Sequence, residues 1–339
     1  MTQSSGLTRR QFIRITASAG ALLAGGIGLG LASTGKSAVR VEETRYLLGS
    51  IANLTVISRE PNSARRAIQA AFDRMTALED VFSRFRPHSQ LSRLNADGGI
   101  KDLDRELYEV VSKAIDFGRM TGGAFDITVE PVLQLYRNAS KTGIWPDATR
   151  VRAAREYVDY REITVTPDSI RLNKPGMAVT LDGIAKGYII DAGTDVLAKY
   201  GFEQIMIELG GDLQTRGDAG LRPWQVSIRR PVDDLSAQGS LIAQLEDTAL
   251  ATSGDYLFTF TPDRQLHHII DPENGLSPDE LSSASVIAPT ACEADAFSTA
   301  LMVMGARNGL TLIAHLAGVE ALVITKQGEL LQTEGFPLR

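Results

Sequence analysis

The spacing of apolar residues changes several times along the chain, and each change marks an element. Residues Arg45 to Ile57 fit a first strand. From Ser63 to Phe82, Ile68, Ala71, Phe72, Met75, Leu78 and Phe82 recur every three or four residues, which predicts a helix with one buried face. Residues 86–99 are polar and read as a loop. Leu107, Val110, Val111, Ala114 and Phe117 predict a second amphipathic helix that stops near Thr121-Gly122-Gly123. The stretch 137–160 reads as a polar excursion over the surface.

Beyond Ile163 the texture shortens to strands over 163–166, 169–172 and 177–181. A helix then fits Ile184 to Tyr200, with Gly201 in the position favoured after a helix end. Further strands fit 204–209, 224–229, 241–246, 257–260, 266–270, 283–288 and 319–325, with helices over 293–304 and 309–317 between the last two. Clustered strands interrupted by a few helices predict an α+β fold, a largely antiparallel sheet flanked by helices. No Gly-x-Gly-x-x-Gly opens a helix after a strand, which argues against a doubly wound dinucleotide fold.

The amino terminus follows different rules. Thr8-Arg9-Arg10-Gln11-Phe12-Ile13-Arg14 precedes an uncharged run, Ile15 to Ala32, rich in Ala, Gly and Leu, with small residues at Gly30 and Ala32. A basic start, a modest apolar stretch and a small-residue exit describe an export leader, and the paired arginines point to the twin-arginine translocase. The glycines weaken the run as a membrane span, so cleavage is expected over a retained inner-membrane anchor. No cysteine follows the run to carry a lipid. The expected organisation is a leader over 1–32, a short linker over 33–44 and one domain over 45–339, working in the periplasm.

The full chain carries 35 basic and 41 acidic residues. Loss of Arg9, Arg10 and Arg14 with the leader lowers the 35 to 32, a charge near −9. With no basic stripe, that balance excludes nucleic acid as a partner. The lone Cys292 has no partner for an internal disulfide and reads as a packing residue.

Several polar segments are ambiguous alone. Thr121 to Asp126, Glu208-Leu209-Gly210-Gly211-Asp212 and Ala251 to Asp255 each read equally as a turn or as a ligand contact. Two stand out. His267-His268-Ile269-Ile270-Asp271-Pro272 puts two histidines at a strand end, where only one can face a site and act as a general base. Asp295 and Thr299 are four apart at the start of an apolar helix, so their oxygens share a face, as a cap or as hard ligands for Mg²⁺.

In chain order these segments form a series. It runs from Ser83-Arg84-Phe85 with Ser89 to Asn95, through Thr121 to Asp126, Leu181-Asp182-Gly183-Ile184-Ala185-Lys186-Gly187 and Leu209 to Asp212. It continues with Thr252 to Tyr256 and His268 to Pro272, and ends with Ala294 to Thr299. The series resembles the FAD:protein FMN transferase family, the ApbE type, over nearly the whole chain after the leader. The resemblance implies a T-fold-related architecture. It also implies a reaction: FAD is split at its pyrophosphate, and FMN passes to a Thr or Ser hydroxyl of an acceptor flavoprotein, releasing AMP. By position, Asp295, Thr299, Ser298 and the Gly183 carbonyl would hold Mg²⁺. His268 would serve as base and Lys186 would lie near the phosphates. Leu48, Phe85, Ala124, Phe125, Asp126, Thr180 and Ile270 match positions that contact FAD. This chain departs from the family's pattern at Leu48-Gly49-Ser50, at Phe85 where Tyr is common, and at Asp182, an acid displaced two residues along what reads as a strand. Water in place of the acceptor would make the same site an FAD pyrophosphatase; a non-catalytic FAD carrier is the reading from another class.

Overall fold

A computed structural model describes residues 37–231 and 241–339. The expected leader over 1–32 lies outside the described residues. Residues 39–44, expected in the linker, already belong to a strand. β1 (Val39–Leu47) and β2 (Ser50–Ser58) form an antiparallel hairpin where a single strand was expected. The two residues between them, Leu48 and Gly49, sit at φ 50° and 73°. Positive φ at both central positions is what a two-residue hairpin demands, and Leu48 meets it against its own side-chain sterics.

α1 (Pro61–Phe82) follows as its spacing predicts. Inside the expected loop 86–99 lies α2 (Gln90–Asp97): Ser89 accepts a hydrogen bond from the Ser92 amide at 3.0 Å, and Leu91 and Leu94 are buried. After β3 (Gly99–Lys101) and α3 (Arg105–Met120), the expected surface excursion is instead two helices, α4 (Glu130–Thr142) and α5 (Ala148–Arg155). Gly143 at φ 74° ends the first, and Asp147 caps the second by accepting from the Arg150 amide at 2.8 Å. The polar exterior of these helices hides a buried stripe of Val132, Leu133, Tyr136 and Ala139.

β4 (Ile163–Thr166) and β5 (Ser169–Leu172) lie where expected. Residues 177–181 are not a strand. The Asn95 side chain takes both backbone groups of Val179, at 2.7 and 2.8 Å, and the Thr180 amide donates to the Ile127 carbonyl, so no ladder is needed. α6 (Ala185–Lys199) precedes β6 (Ile205–Leu209) and β7 (Asp212–Arg216), a hairpin closed by Gly210 and Gly211 at φ 62° and 101°. β8 (Trp224–Ile228), β9 (Leu241–Leu245), β10 (Ala249–Gly254) and β11 (Leu281–Ala288) follow. The expected strands 257–260 and 266–270 reduce to one bridge between Thr259 and His267. The expected helix pair is present as α7 (Ala291–Ile313), whose two segments meet at a non-helical break at Gly305 (φ 74°, ψ 174°). β12 (Glu320–Thr325) and β13 (Leu330–Gln332) complete the chain.

Eight strands form one antiparallel sheet in the order β1-β2-β6-β7-β10-β11-β12-β13. Alternation along β12 shows its two-sidedness: Ala321 and Val323 enter the main core with α1, α6 and α7, while Leu322 and Ile324 pack under the β8–β9 ribbon. The mixed helix and antiparallel sheet agree with the α+β expectation. α6 and α7 approach closely. A methyl group at Gly187 would lie 2.2 Å from the Ala291 carbonyl oxygen, so only glycine fits there. This contact brings the start of α7 against the start of α6, where the chemistry gathers.

Candidate active site

Asp295 sits one turn into α7 and is 3% exposed. One of its oxygens accepts a hydrogen bond from the Gly187 amide at 3.1 Å; the other accepts none among the described residues. Burial holds its carboxyl above the usual range against the pull of Lys186. The next turn brings Ser298 and Thr299. The Ser253 hydroxyl, on β10, lies 2.8 Å from that of Ser298 and 3.3 Å from that of Thr299. Gly183 faces the same point: a methyl group there would lie 2.8 Å from Thr299 Oγ1 and 3.4 Å from the Phe125 ring. The four residues expected to hold an ion are therefore brought together.

Lys186 projects from the first turn of α6 and pairs with Asp212, which is 1% exposed. Burial alone would push its ammonium down, but Asp212 and Asp295 outweigh that and raise it. Asp212 also accepts from the Thr252 amide at 3.1 Å, which ties β7 to β10 below the site. The segments holding Asp212 and Ser253 entered the sequence series, but neither residue was given a role there. The Leu-Gly-Gly-Asp turn was the available signal, and it matters because the two glycines deliver the acid to the head of β7.

His268 stands on the loop between β10 and β11. Its amide donates to the Phe258 carbonyl at 3.0 Å, and its Nδ1 lies 3.2 Å from the same oxygen. A carbonyl can only accept, so Nδ1 carries the proton and Nε2 keeps its lone pair free. Burial pushes His268 down to about 4; Asp182 works against this, and Lys186 and Arg84 add to it, which places all three within electrostatic reach of the ring. Its neighbour His267 is fully buried, with Nε2 at 3.1 Å from the Pro278 carbonyl and Nδ1 accepting from the Ile269 amide at 3.4 Å. The two histidines thus divide as expected, one toward a site and one into the core, although on a loop and not a strand.

Of the remaining residues, Arg84, Asp182, Thr180 and Phe125 connect to this centre, while Ala124, Asp126, Ile270 and Leu48 have their contacts elsewhere. Arg84 pairs with Asp182 at 2.9 Å and lies over the Phe85 ring at 4.0 Å; Phe85 is 76% exposed. Asp182 belongs to a turn, not a strand, and its amide donates to the Thr180 hydroxyl at 3.2 Å. Phe125 is buried beside Phe117, and Ala124 before it is half-buried. Asp126 uses both oxygens locally, accepting from the Thr128 amide and hydroxyl and from the Tyr160 amide at 2.6 to 2.9 Å. Ile270 is buried against α4. Leu48 is half-buried at the hairpin turn; the next residue but one, Ser50, would touch any methyl group placed at Gly210. Cys292 is buried and its thiol pushed up, consistent with packing.

Buried Asp295, the Lys186–Asp212 pair, the hydroxyls of Ser253, Ser298 and Thr299 and the Gly183 backbone form a charged floor, and the free His268 Nε2 lies within electrostatic reach of Lys186. Residues 48–323 match the ApbE family. The chain belongs to the ApbE family. It is 30% identical over 305 residues to the FAD:protein FMN transferase of Vibrio cholerae, covering 87% of this chain and 90% of the other. It is 29% identical over 312 residues to the FAD:protein FMN transferase of Treponema pallidum, covering 86% of each. Among solved structures, the flavin transferase ApbE from Vibrio cholerae superposes with a TM-score of 0.75 at 27% identity, over 87% of this chain and 97% of that one. The ApbE protein of Thermotoga maritima gives 0.76 at 27% identity, with the same shares of the two chains. The similarity therefore spans the whole ApbE fold, including every element that supplies a site residue.

Proposed function

We propose that this protein is an FAD:protein FMN transferase that uses Mg²⁺ and releases AMP, acting outside the cytoplasmic membrane after export through the twin-arginine translocase. The observation that carries the reading is the convergence of Asp295, Ser298, Thr299 and Gly183 beside Lys186, below a histidine whose Nε2 is free. Among the described residues no three His, Cys, Asp or Glu side chains cluster as a metal site. An ion here would rest on one carboxylate with neutral hydroxyl and carbonyl oxygens. Such a set suits Mg²⁺, which takes hard oxygens, retains several waters and often shares its shell with phosphates. The Asp295 oxygen not used by Gly187 supports that role, as does the close approach of the Gly183 backbone to Thr299, where a methyl group would lie 2.8 Å from Oγ1.

When bound, Mg²⁺ would neutralise charge on the pyrophosphate oxygens. Lys186 adds a fixed positive charge to the same floor, kept protonated by Asp212 and Asp295. His268 Nε2 takes the proton of the acceptor's Thr or Ser hydroxyl as its oxygen bonds to the FMN phosphorus. The bond from that phosphorus to the bridging oxygen breaks, and AMP leaves with the oxygen. Phe85, Ala124, Phe125, Thr180, Ile270 and Leu48 would contact the rest of FAD; the Phe125 ring against Gly183 and the Thr180 hydroxyl holding the Asp182 turn support that reading. Asp126, its carboxylate already occupied, would contribute through the shape of its turn. Arg9 and Arg10, ahead of the apolar run, support the export route.

The test is incubation with FAD, Mg²⁺ and a candidate acceptor flavoprotein. In-gel flavin fluorescence on the acceptor, with AMP in solution, is the expected result. Free FMN with AMP would make the protein a pyrophosphatase, and unchanged FAD would make it a carrier.

A further inference from the structure

A cleft of about 640 Å³ opens between α4, α5 and the segment 261–276, and it shares no lining residue with the site described above. Its walls include Tyr136, Trp145, Leu266 and Leu276, with Arg152 and Arg155 from α5. Trp145 is 41% exposed and Leu276 48%, and Ile144 beside Trp145 is also exposed. Large apolar side chains gathered in the open around a concavity mark a binding surface more than a chance scatter does. The floor is firm: Tyr136 stacks on Phe260 and donates its hydroxyl to the Gly275 carbonyl at 2.8 Å.

The cleft is continuous with the catalytic loop. Leu266 lies two residues before His268 and Ile270 two after, and both pack into the cluster beneath the cleft. Two residues of extended chain span roughly 7 Å. Exposed Leu257 and Phe258 stand on the same loop. A chain lying in the cleft would therefore run on to the His268 ring within a few residues. The charge is equally specific. The sequence as a whole is acidic, yet α5 presents Arg150, Arg152 and Arg155. Arg152 has no hydrogen-bond or ion-pair partner among the described residues, and Arg155 donates to the Glu273 carbonyl.

We infer that this cleft docks the acceptor protein, receiving an acidic segment with large apolar side chains that flanks the hydroxyl residue to be modified. The inference rests on the transferase reading. Arginines beside an aromatic wall recognise carboxylates while apolar side chains fill the space between them. Docking there would supply the acceptor's affinity from contacts away from the reacting atoms, leaving the hydroxyl to be presented to His268.

The test uses the full-length protein and two fluorescein-labelled peptides, each carrying a Thr beside a Leu-rich half. One has Asp between the leucines and the other Lys, and binding is read by fluorescence anisotropy. The Asp peptide should bind roughly tenfold or more tightly than the Lys peptide at low salt, and Arg152→Glu should weaken it by a similar factor. Trp145→Ala, a truncation of an exposed side chain, should weaken both peptides. Failure of the Asp peptide to bind, or equal binding of the Asp peptide by wild type and Arg152→Glu, would overturn the inference. So would a rise in KM for FAD in Arg152→Glu, since that would make the cleft part of the nucleotide site. The transferase reading fails separately, if wild type leaves FAD intact with Mg²⁺ present while the peptides still bind.

Discussion

Gly187→Ala probes the contact that builds the site. The added methyl group would lie 2.2 Å from the Ala291 carbonyl oxygen and 2.6 Å from the Cys292 amide nitrogen. Both are backbone atoms, so no side chain can turn aside. Relief requires α6 and α7 to separate by about 1 Å, a gap that forfeits a quarter to a half of each dispersion contact across it. Overpacking of this kind costs about 1–3 kcal/mol, and the rigid obstacle places the variant at the upper end. Alanine returns about 1 kcal/mol of helix propensity, leaving a net loss near 2 kcal/mol. For a domain of this size that is a fall in Tm of roughly 3 °C, read by circular dichroism or calorimetry. The same displacement draws the Gly187 amide away from Asp295. Activity should therefore need more Mg²⁺ even well below Tm. An unchanged Tm with an unchanged Mg²⁺ requirement would refute the packing argument.

Asp295→Ala should abolish FAD cleavage at ordinary Mg²⁺, followed by chromatography of FMN and AMP; full wild-type activity in EDTA would remove the ion from the account. His268→Ala should leave FAD binding nearly intact, as measured by flavin fluorescence, while slowing transfer by about 10²–10⁴. With its imidazole held down to about 4, His268 should stay neutral in mild acid, so its ring resonances in the wild-type protein should titrate near 4 by NMR; a titration centred near 6.5 would contradict the assignment. Burial likewise pushes His267 down to about 4, below its ordinary 6.5. The unfolded chain then binds the extra proton first, so stability present above pH 6.5 should decline toward pH 4. Urea midpoints across that range should show the slope, and His267→Gln should flatten it in part.

Long periodic elements were legible because one buried face imposes one spacing: α1 and α3 lie where their apolar residues recur. The hairpin of β1 and β2 was read as one strand because its turn places a leucine, not an Asn or Gly, at positive φ. Residues 177–181 have strand composition, yet Asn95 supplies the partner that a neighbouring strand would have given. α4 and α5 escaped notice because their apolar stripe faces a small satellite cluster and the rest of each helix is polar. At the site, Asp295 and Thr299 were readable from their four-residue spacing on one helix. Asp212 and Ser253 were not, because their meaning depends on strand pairing between β7 and β10 across 40 residues. The resemblance joined the segments into one site; the fold explains how Gly187 and the Gly210-Gly211 turn bring them together.

The central claim is that FMN ends on a protein hydroxyl. The most direct measurement is intact-mass analysis of an acceptor flavoprotein after incubation with this enzyme, FAD and Mg²⁺, with AMP quantified in the same sample. The account predicts one FMN phosphoester on a single Thr or Ser, AMP in equal amount, and neither product when Asp295 is alanine. AMP and free FMN with the acceptor's mass unchanged would contradict it.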